Sequence, residues 1–153
     1  MKLAVYRKKR DFKKTTEPEG TQEKSGISHI FVVQKHYASH LHYDFRLAID
    51  GVLKSWAIPK GPSLNSSDKR LAIMTEDHPL EYANFEGVIP VGQYGAGKVE
   101  IWDHGTWQPI SDLATWLKER KLKFILHGKK LKGAWVLIGL KNNLKNWLLI
   151  KER

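Results

Sequence analysis

The sequence predicts a mainly β fold, a compact closed or nearly closed barrel of about eight strands with one or two short helices. Three observations lead there. From Ile30 onward, short apolar or alternating runs recur, each broken by Gly, Pro or Asn. The 153 residues fit one domain with one core. That many short strands must bury alternate faces, and closing the sheet removes its exposed edges, which favours a barrel over an open sandwich.

Residues 1–27 are rich in Lys, Arg, Glu, Thr and Gly and poor in large apolar side chains. They form an arm that cannot bury its own surface; residues 28–153 are the barrel. Strands are predicted at 30–36, 41–49, 52–58, 70–75, 97–103, 123–127, 134–140 and 146–151. Asp50-Gly51 and Asp103-His104-Gly105 are read as the links of two strand pairs, because Gly supplies the positive φ of tight hairpins. Ser111 is placed to cap a helix whose apolar side is Leu113, Trp116 and Leu117, with Lys118, Arg120 and Lys121 at its negative pole. The six Trp are most simply core or rim packing.

A formal charge of +10 and a pI near 9.7 favour polyanionic partners, nucleic acid first. A basic, solvated surface is the bland alternative. With no Cys there is no disulfide framework, thiolate zinc site or cysteine nucleophile, so a metal must sit on His or carboxylate. No apolar run approaches the roughly 20 residues of a membrane span, and the start lacks the apolar core of a signal peptide, which points to a cytoplasmic protein.

The chemistry concentrates in His36-Tyr37-Ala38-Ser39-His40-Leu41-His42-Tyr43-Asp44-Phe45-Arg46-Leu47. Strand side chains alternate, so His42, Asp44 and Arg46 share one face while Leu41, Tyr43, Phe45 and Leu47 share the other. Neighbours on one face stand roughly 6.5–7 Å apart, a gap that two side chains gripping an ion at about 2.0–2.2 Å can close. A third ligand comes from His36 or His40; imidazole with carboxylate suits manganese, iron or zinc better than calcium. A lone His-x-Asp usually marks only a surface hydrogen bond, but three His within residues 36–42 shift the balance toward a metal. Arg46 beside them suits bidentate phosphate binding.

A second cluster follows at His78-Pro79-Leu80-Glu81-Tyr82. His78 is a candidate proton donor, and Tyr82 joins it if a helical turn follows Pro79. The Pro59-Lys60-Gly61-Pro62 loop either aims Lys60 at a phosphate or merely ends a strand. The Gly-rich stretch 86–98 lacks both P-loop and dinucleotide spacings.

Taken together, residues 10–20, 31–63, 70–107 and 146–151 resemble the 3′-phosphoesterase module of bacterial DNA ligase D and its free-standing relatives. The resemblance implies a β-barrel with a crescent active site, dependent on manganese with zinc or cobalt as alternatives. It implies removal of a 3′-terminal ribonucleoside to leave a 3′-phosphate, and then removal of that phosphate. The expected substrate is a DNA primer-template bearing such an end, and a separate DNA ligase, polymerase or Ku are candidate partners of a monomer. Metal ligands match His36, His42 and Asp44, which leaves His40 outside the first shell. Arg46 with His78 matches the clamp on the scissile phosphate, and Tyr82 is similarly placed among the essential residues. Arg10, Asp11, Glu17, Gln34, Lys60, Arg70 and Glu76 match substrate-site positions, so the arm is expected to fold over the site. Ala48 stands where an acidic residue is common in the family. Polymerase and ligase modules are not seen in the chain, so a stand-alone form is expected.

Two rivals make different demands. A non-haem iron oxygenase also uses two His and a carboxylate on a β-barrel, with His127 as the distant ligand. A non-catalytic nucleic-acid binder accounts for the charge but not for the aligned His42, Asp44 and Arg46.

Overall fold

The computed structural model describes residues 3–20 and 29–153. Residues 1, 2 and 21–28, which hold part of the expected arm, lie outside the described residues. A short helix α1 (Ala4–Lys8) precedes β1 (Ile30–Tyr37), β2 (Leu41–Ile49), β3 (Val52–Ile58) and β4 (Arg70–Met74). A 3₁₀ turn (Leu80–Asn84) leads to β5 (Gly87–Ile89) and β6 (Gly97–Pro109). Helix α2 (Trp116–Glu119) then introduces β7 (Lys121–Gly128), β8 (Lys132–Gly139) and β9 (Asn146–Lys151).

Eight antiparallel strands close in the order β1-β2-β3-β4-β9-β8-β7-β6, and β6 pairs back to β1. The small strand β5 is added beside β6. The fold is thus the expected barrel, with two short α-helices. Among the described residues no helix is long and apolar enough to cross a membrane.

The Asp50-Gly51 hairpin forms as expected, with φ of 53° and 81° at its two residues. Asp103-His104-Gly105 corrects the reading. These residues lie inside β6, which runs on to Pro109. Gly105 is there for close approach and not for a turn, since a Cβ on it would meet the His127 carbonyl oxygen at 2.0 Å. Asp103 instead binds the next hairpin, accepting the N–H groups of Lys129 (2.9 Å), Lys130 (3.2 Å) and Leu131 (2.8 Å).

Helix α2 is shorter than expected and Ser111 does not cap it. Its hydroxyl accepts the Lys123 N–H at 2.9 Å, while Asp112 turns the chain by accepting from Ala114 at 2.8 Å. Trp116 is buried and Leu113 packs against the core, but Leu117 is exposed, because one helical turn presents only a narrow face inward.

Alternation sorts two layers. Phe31, Val33, Phe45, Leu47, Trp56, Phe124, Trp135 and Trp147 fill the barrel. Val32, Ala48 and Leu53, on the outward faces of β1 to β3, pack instead under Tyr6, Tyr82, Phe85 and Ile89. The outside of this half of the barrel is therefore roofed by the N-terminal segment and the connection from β4 to β6. Polar residues trapped beneath that roof form the site.

Candidate metal centre

Hairpin register builds the site. His36 on β1 stands directly opposite His42 on β2, and Gln34 opposite Asp44. Side chains directly opposite on one face meet. His36 Nδ1 lies 3.4 Å and His42 Nε2 3.2 Å from the same Asp44 Oδ2. Ligand atoms from the three residues all fall within 4.8 Å of one another.

The outer nitrogens show why these atoms can hold a cation. His36 Nε2 is 2.6 Å from the Gly95 carbonyl and His42 Nδ1 is 3.1 Å from the His40 carbonyl. A carbonyl only accepts, so each ring keeps a proton on its outer nitrogen, and the nitrogen that faces Asp44 is the one left to offer a lone pair to a cation. Two imidazole nitrogens and a carboxylate converging on one point fit a divalent cation. His40 contributes through its backbone alone, and its side chain is exposed.

Electrostatics agree. Burial opposes charge on Asp44, yet Arg46, His36 and His42 hold its carboxyl far below the usual range. Burial likewise opposes a proton on His42, but Asp44 outweighs it and raises that imidazole. The field that favours the proton also favours a cation. Arg46 closes the cluster, with Nη2 3.6 Å from Asp44 Oδ2 and Nε donating to Gln34 Oε1 at 2.7 Å. Gln34 is fully buried and donates to the carbonyls of Tyr82 (2.7 Å) and Phe85 (3.1 Å). It lies beneath the floor and does not line the pocket itself, but holds Arg46 and the Tyr82 backbone, which do.

The second wall comes from His78, whose backbone exchanges hydrogen bonds with Leu53 on β3 at 2.8 and 3.0 Å. A 3₁₀ turn does follow Pro79 and brings the Tyr82 ring to 4.7 Å from His78. The third wall is the N-terminal segment. Arg10 donates to Glu17 (3.0 Å), Glu76 (3.2 Å) and the Tyr6 carbonyl (3.1 Å). It also reaches His78 Nε2 at 3.4 Å. A guanidinium has no acceptor, so Nε2 carries the lone pair and Nδ1 donates to the Glu76 carbonyl at 2.9 Å. Burial first, then the charges of Arg46 and Arg10, push His78 well below the ordinary imidazole range. Burial opposes charge on Glu76, but its own backbone N–H, Lys9 and Arg10 lower its carboxyl.

Arg10, His36, His42, Asp44, Arg46, Glu76, His78 and Tyr82 therefore line one pocket of about 280 Å³. Glu17 is buried behind it, holding Arg10 and Tyr82. Asp11 is exposed and shapes a turn by accepting from the Lys13 N–H at 3.1 Å. Lys60 and Arg70 are not drawn in; with Asp68 and Lys69 they line a separate hollow. His127 stands on β7, 2.9 Å from Gln108, and not in the cluster. Sequence reading missed Tyr6, buried between Arg10 and His78, and the Gly95 carbonyl that orients His36. Gly95 was visible as one of several glycines but carried no side-chain signal.

Residues 34–139 match the family described as the DNA ligase D 3′-phosphoesterase domain. The chain belongs to that family. The phosphoesterase-domain chain is 51% identical over 155 residues to the multifunctional non-homologous end joining protein LigD of Pseudomonas aeruginosa. The match covers 99% of this chain and 18% of that protein. It is 48% identical over 151 residues to the multifunctional non-homologous end joining DNA repair protein LigD of Mycobacterium tuberculosis, covering 96% and 19%. The LigD of Mycolicibacterium smegmatis is 43% identical over 154 residues, covering 96% and 20%. This phosphoesterase-domain chain thus spans about a fifth of the length of these relatives.

Proposed function

We propose that this chain is a divalent-metal-dependent hydrolase that heals DNA 3′ ends in end joining, with manganese as first choice and zinc or cobalt as alternatives. The reading is carried by one observation, the convergence of His36, His42 and Asp44 beside the Arg46 guanidinium. It takes a primer-template with a 3′-terminal ribonucleotide, adds water at the phosphorus and breaks the bond to the ribonucleoside 5′ oxygen, which leaves with a proton. A second hydrolysis releases inorganic phosphate and leaves a 3′ hydroxyl. Ku, a ligase and a polymerase are the proposed partners, in keeping with the end-joining names of the relatives.

A bound divalent cation supplies Lewis-acid charge at the phosphoryl group. Arg46 presents two N–H donors to nonbridging oxygens and is preset by Gln34 and Asp44. His78 is neutral in the free protein. An entering phosphate anion offsets Arg46 and Arg10, so His78 gains a proton there and becomes a second donor. Tyr82 stays protonated and holds Glu17 and, through it, Arg10. Residues 1–27 serve as the arm of the site and 28–153 as its barrel, with Lys60 and Arg70 receiving the strand further out.

The test is a primer-template ending in one 3′-ribonucleotide, incubated with manganese, zinc, cobalt, magnesium or chelator. Metal-dependent shortening to a 3′-phosphate and then a 3′-hydroxyl is expected, and His42→Ala abolishes both. Binding without cleavage under every metal overturns the reading.

A further inference from the structure

The pocket of about 280 Å³ around the three ligands has room for an ion and a phosphoryl group, but is smaller than the roughly 300–1,000 Å³ of ordinary ligand sites. A nucleoside attached to that phosphoryl group must lie outside it. A groove of about 460 Å³ meets the pocket, and the two share Thr75, Glu76 and Tyr94. Its other lining is Val5, Lys9, Ile73, Met74 and Lys145.

Tyr94 stands at the junction, 48% exposed, with Lys9 Nζ 4.6 Å and the Arg10 guanidinium carbon 5.4 Å from its ring centre. Its loop is preset. Gln93 N donates to the Pro90 carbonyl and Ala96 N to the Gln93 carbonyl, each at 3.1 Å, and the Gly95 carbonyl is tied to His36. Val5 lines the same groove and is 53% exposed, although it lies close in sequence to the buried Leu3 and Tyr6. An ordered, half-exposed aromatic that lines one groove with an exposed aliphatic residue and Met74 offers apolar surface to a flat ring.

Charge decides which ring. Lys9 is matched by Glu76 at 3.2 Å, and among the described residues Lys145 is the other cation that lines this groove. The separate hollow holds Lys60, Lys69 and Arg70 with Asp68 as its acidic residue. Strand phosphates suit the cationic hollow, and a group with no phosphate beyond the scissile one suits the apolar surface of the groove. We propose that the Tyr94–Val5 groove is a nucleoside subsite that receives the base of the 3′-terminal ribonucleoside, stacked on Tyr94. This rests on the end-healing reading above.

The experiment compares two substrates for each protein, a primer ending in a 3′-ribonucleotide and the same primer ending in a 3′-phosphate. Stacking of one base sets the scale. Tyr94→Ala is expected to raise KM for ribonucleoside removal roughly tenfold relative to KM for phosphate removal, with Tyr94→Phe restoring the wild-type ratio. Val5→Glu, at an exposed position, is expected to shift the ratio the same way without disturbing the fold. A ratio unchanged in both Tyr94→Ala and Val5→Glu overturns the subsite while leaving the end-healing reading intact. Wild-type protein inactive on both substrates under every metal overturns both.

Discussion

Tyr82 donates its hydroxyl to Glu17 Oε2 at 2.6 Å, tying the turn after Pro79 to the N-terminal segment across 65 residues of chain. Burial, opposed by Arg46 and aided by Glu17, raises the phenol far above its usual value, so it remains a donor at every working pH. The same carboxylate oxygen takes the Arg10 Nε at 3.0 Å. Tyr82→Phe is expected to lower unfolding stability by about 1.5–3 kcal/mol, the range for a hydrogen bond to a charged group. Tyr82→Phe combined with Glu17→Ala should cost less than the sum of the two single losses, because both remove one shared bond. Strictly additive losses in urea unfolding contradict the coupling.

The neutral His78 makes stability depend on acid in a stated direction. Its folded-state value lies well below the ordinary one of about 6.5, for the reasons of burial, Arg46 and Arg10. Between those values the unfolded chain binds the proton and the folded chain does not. The contribution of His78 is therefore complete above about pH 6.5 and lost as the pH falls toward its folded value. The stability difference between wild type and His78→Asn should grow with pH up to about pH 6.5 and then level off. A difference that stays flat from about pH 4 to 7 shows that His78 takes its proton in the folded protein as easily as in water.

The strands bearing the ligands were legible because alternation and hairpin register are short-range consequences of sequence. Tyr37 to Leu41 is too short a link to offer much choice, so His36 falls opposite His42. The roof was not legible in composition or pattern, and only the family resemblance led one to expect the arm over the site. Residues 3–20 look like a solvated tail because Arg10 and Glu17 read as surface charges until Glu76, His78 and Tyr82 arrive from far along the chain to satisfy them. Gly105 misled for a related reason. Glycine marks both a turn and a close contact, and only the His127 carbonyl distinguishes the two. Nor does charge alone tell that Lys60 and Arg70 line a different hollow from Arg46.

Asp103 gives a stability test that leaves the site alone. It is buried and accepts three backbone N–H groups from the hairpin between β7 and β8. Asp103→Ala strands those donors, of which the Leu131 N–H is buried. The expected loss is about 2–4 kcal/mol by urea unfolding, with manganese affinity unchanged. A marked loss of manganese affinity in the folded variant shows that the hairpin and the metal centre are coupled.

The Gly95 carbonyl permits a sharper test, because a second glycine on the same loop serves as its control. Gly95 has φ 76° and Gly92 has φ 91°, so alanine at either position strains the backbone, by about 1–2 kcal/mol. They differ in what a new Cβ meets. At Gly95 it lies 3.4 Å from His36 Cε1, whereas at Gly92 nothing stands within 4 Å. A Cβ at Gly95 rests in ordinary contact with His36, so the strained φ is what acts there: its relief rotates the Gly95 carbonyl that fixes the His36 tautomer, and loss of such an orienting partner typically weakens metal binding by roughly 10–100-fold. Gly92→Ala should destabilise the protein to a similar extent yet bind manganese as the wild type does. Calorimetric titration of the two folded variants separates the effects: equal weakening in both shows that loop order as a whole, and not the His36 to Gly95 hydrogen bond, prepares the site.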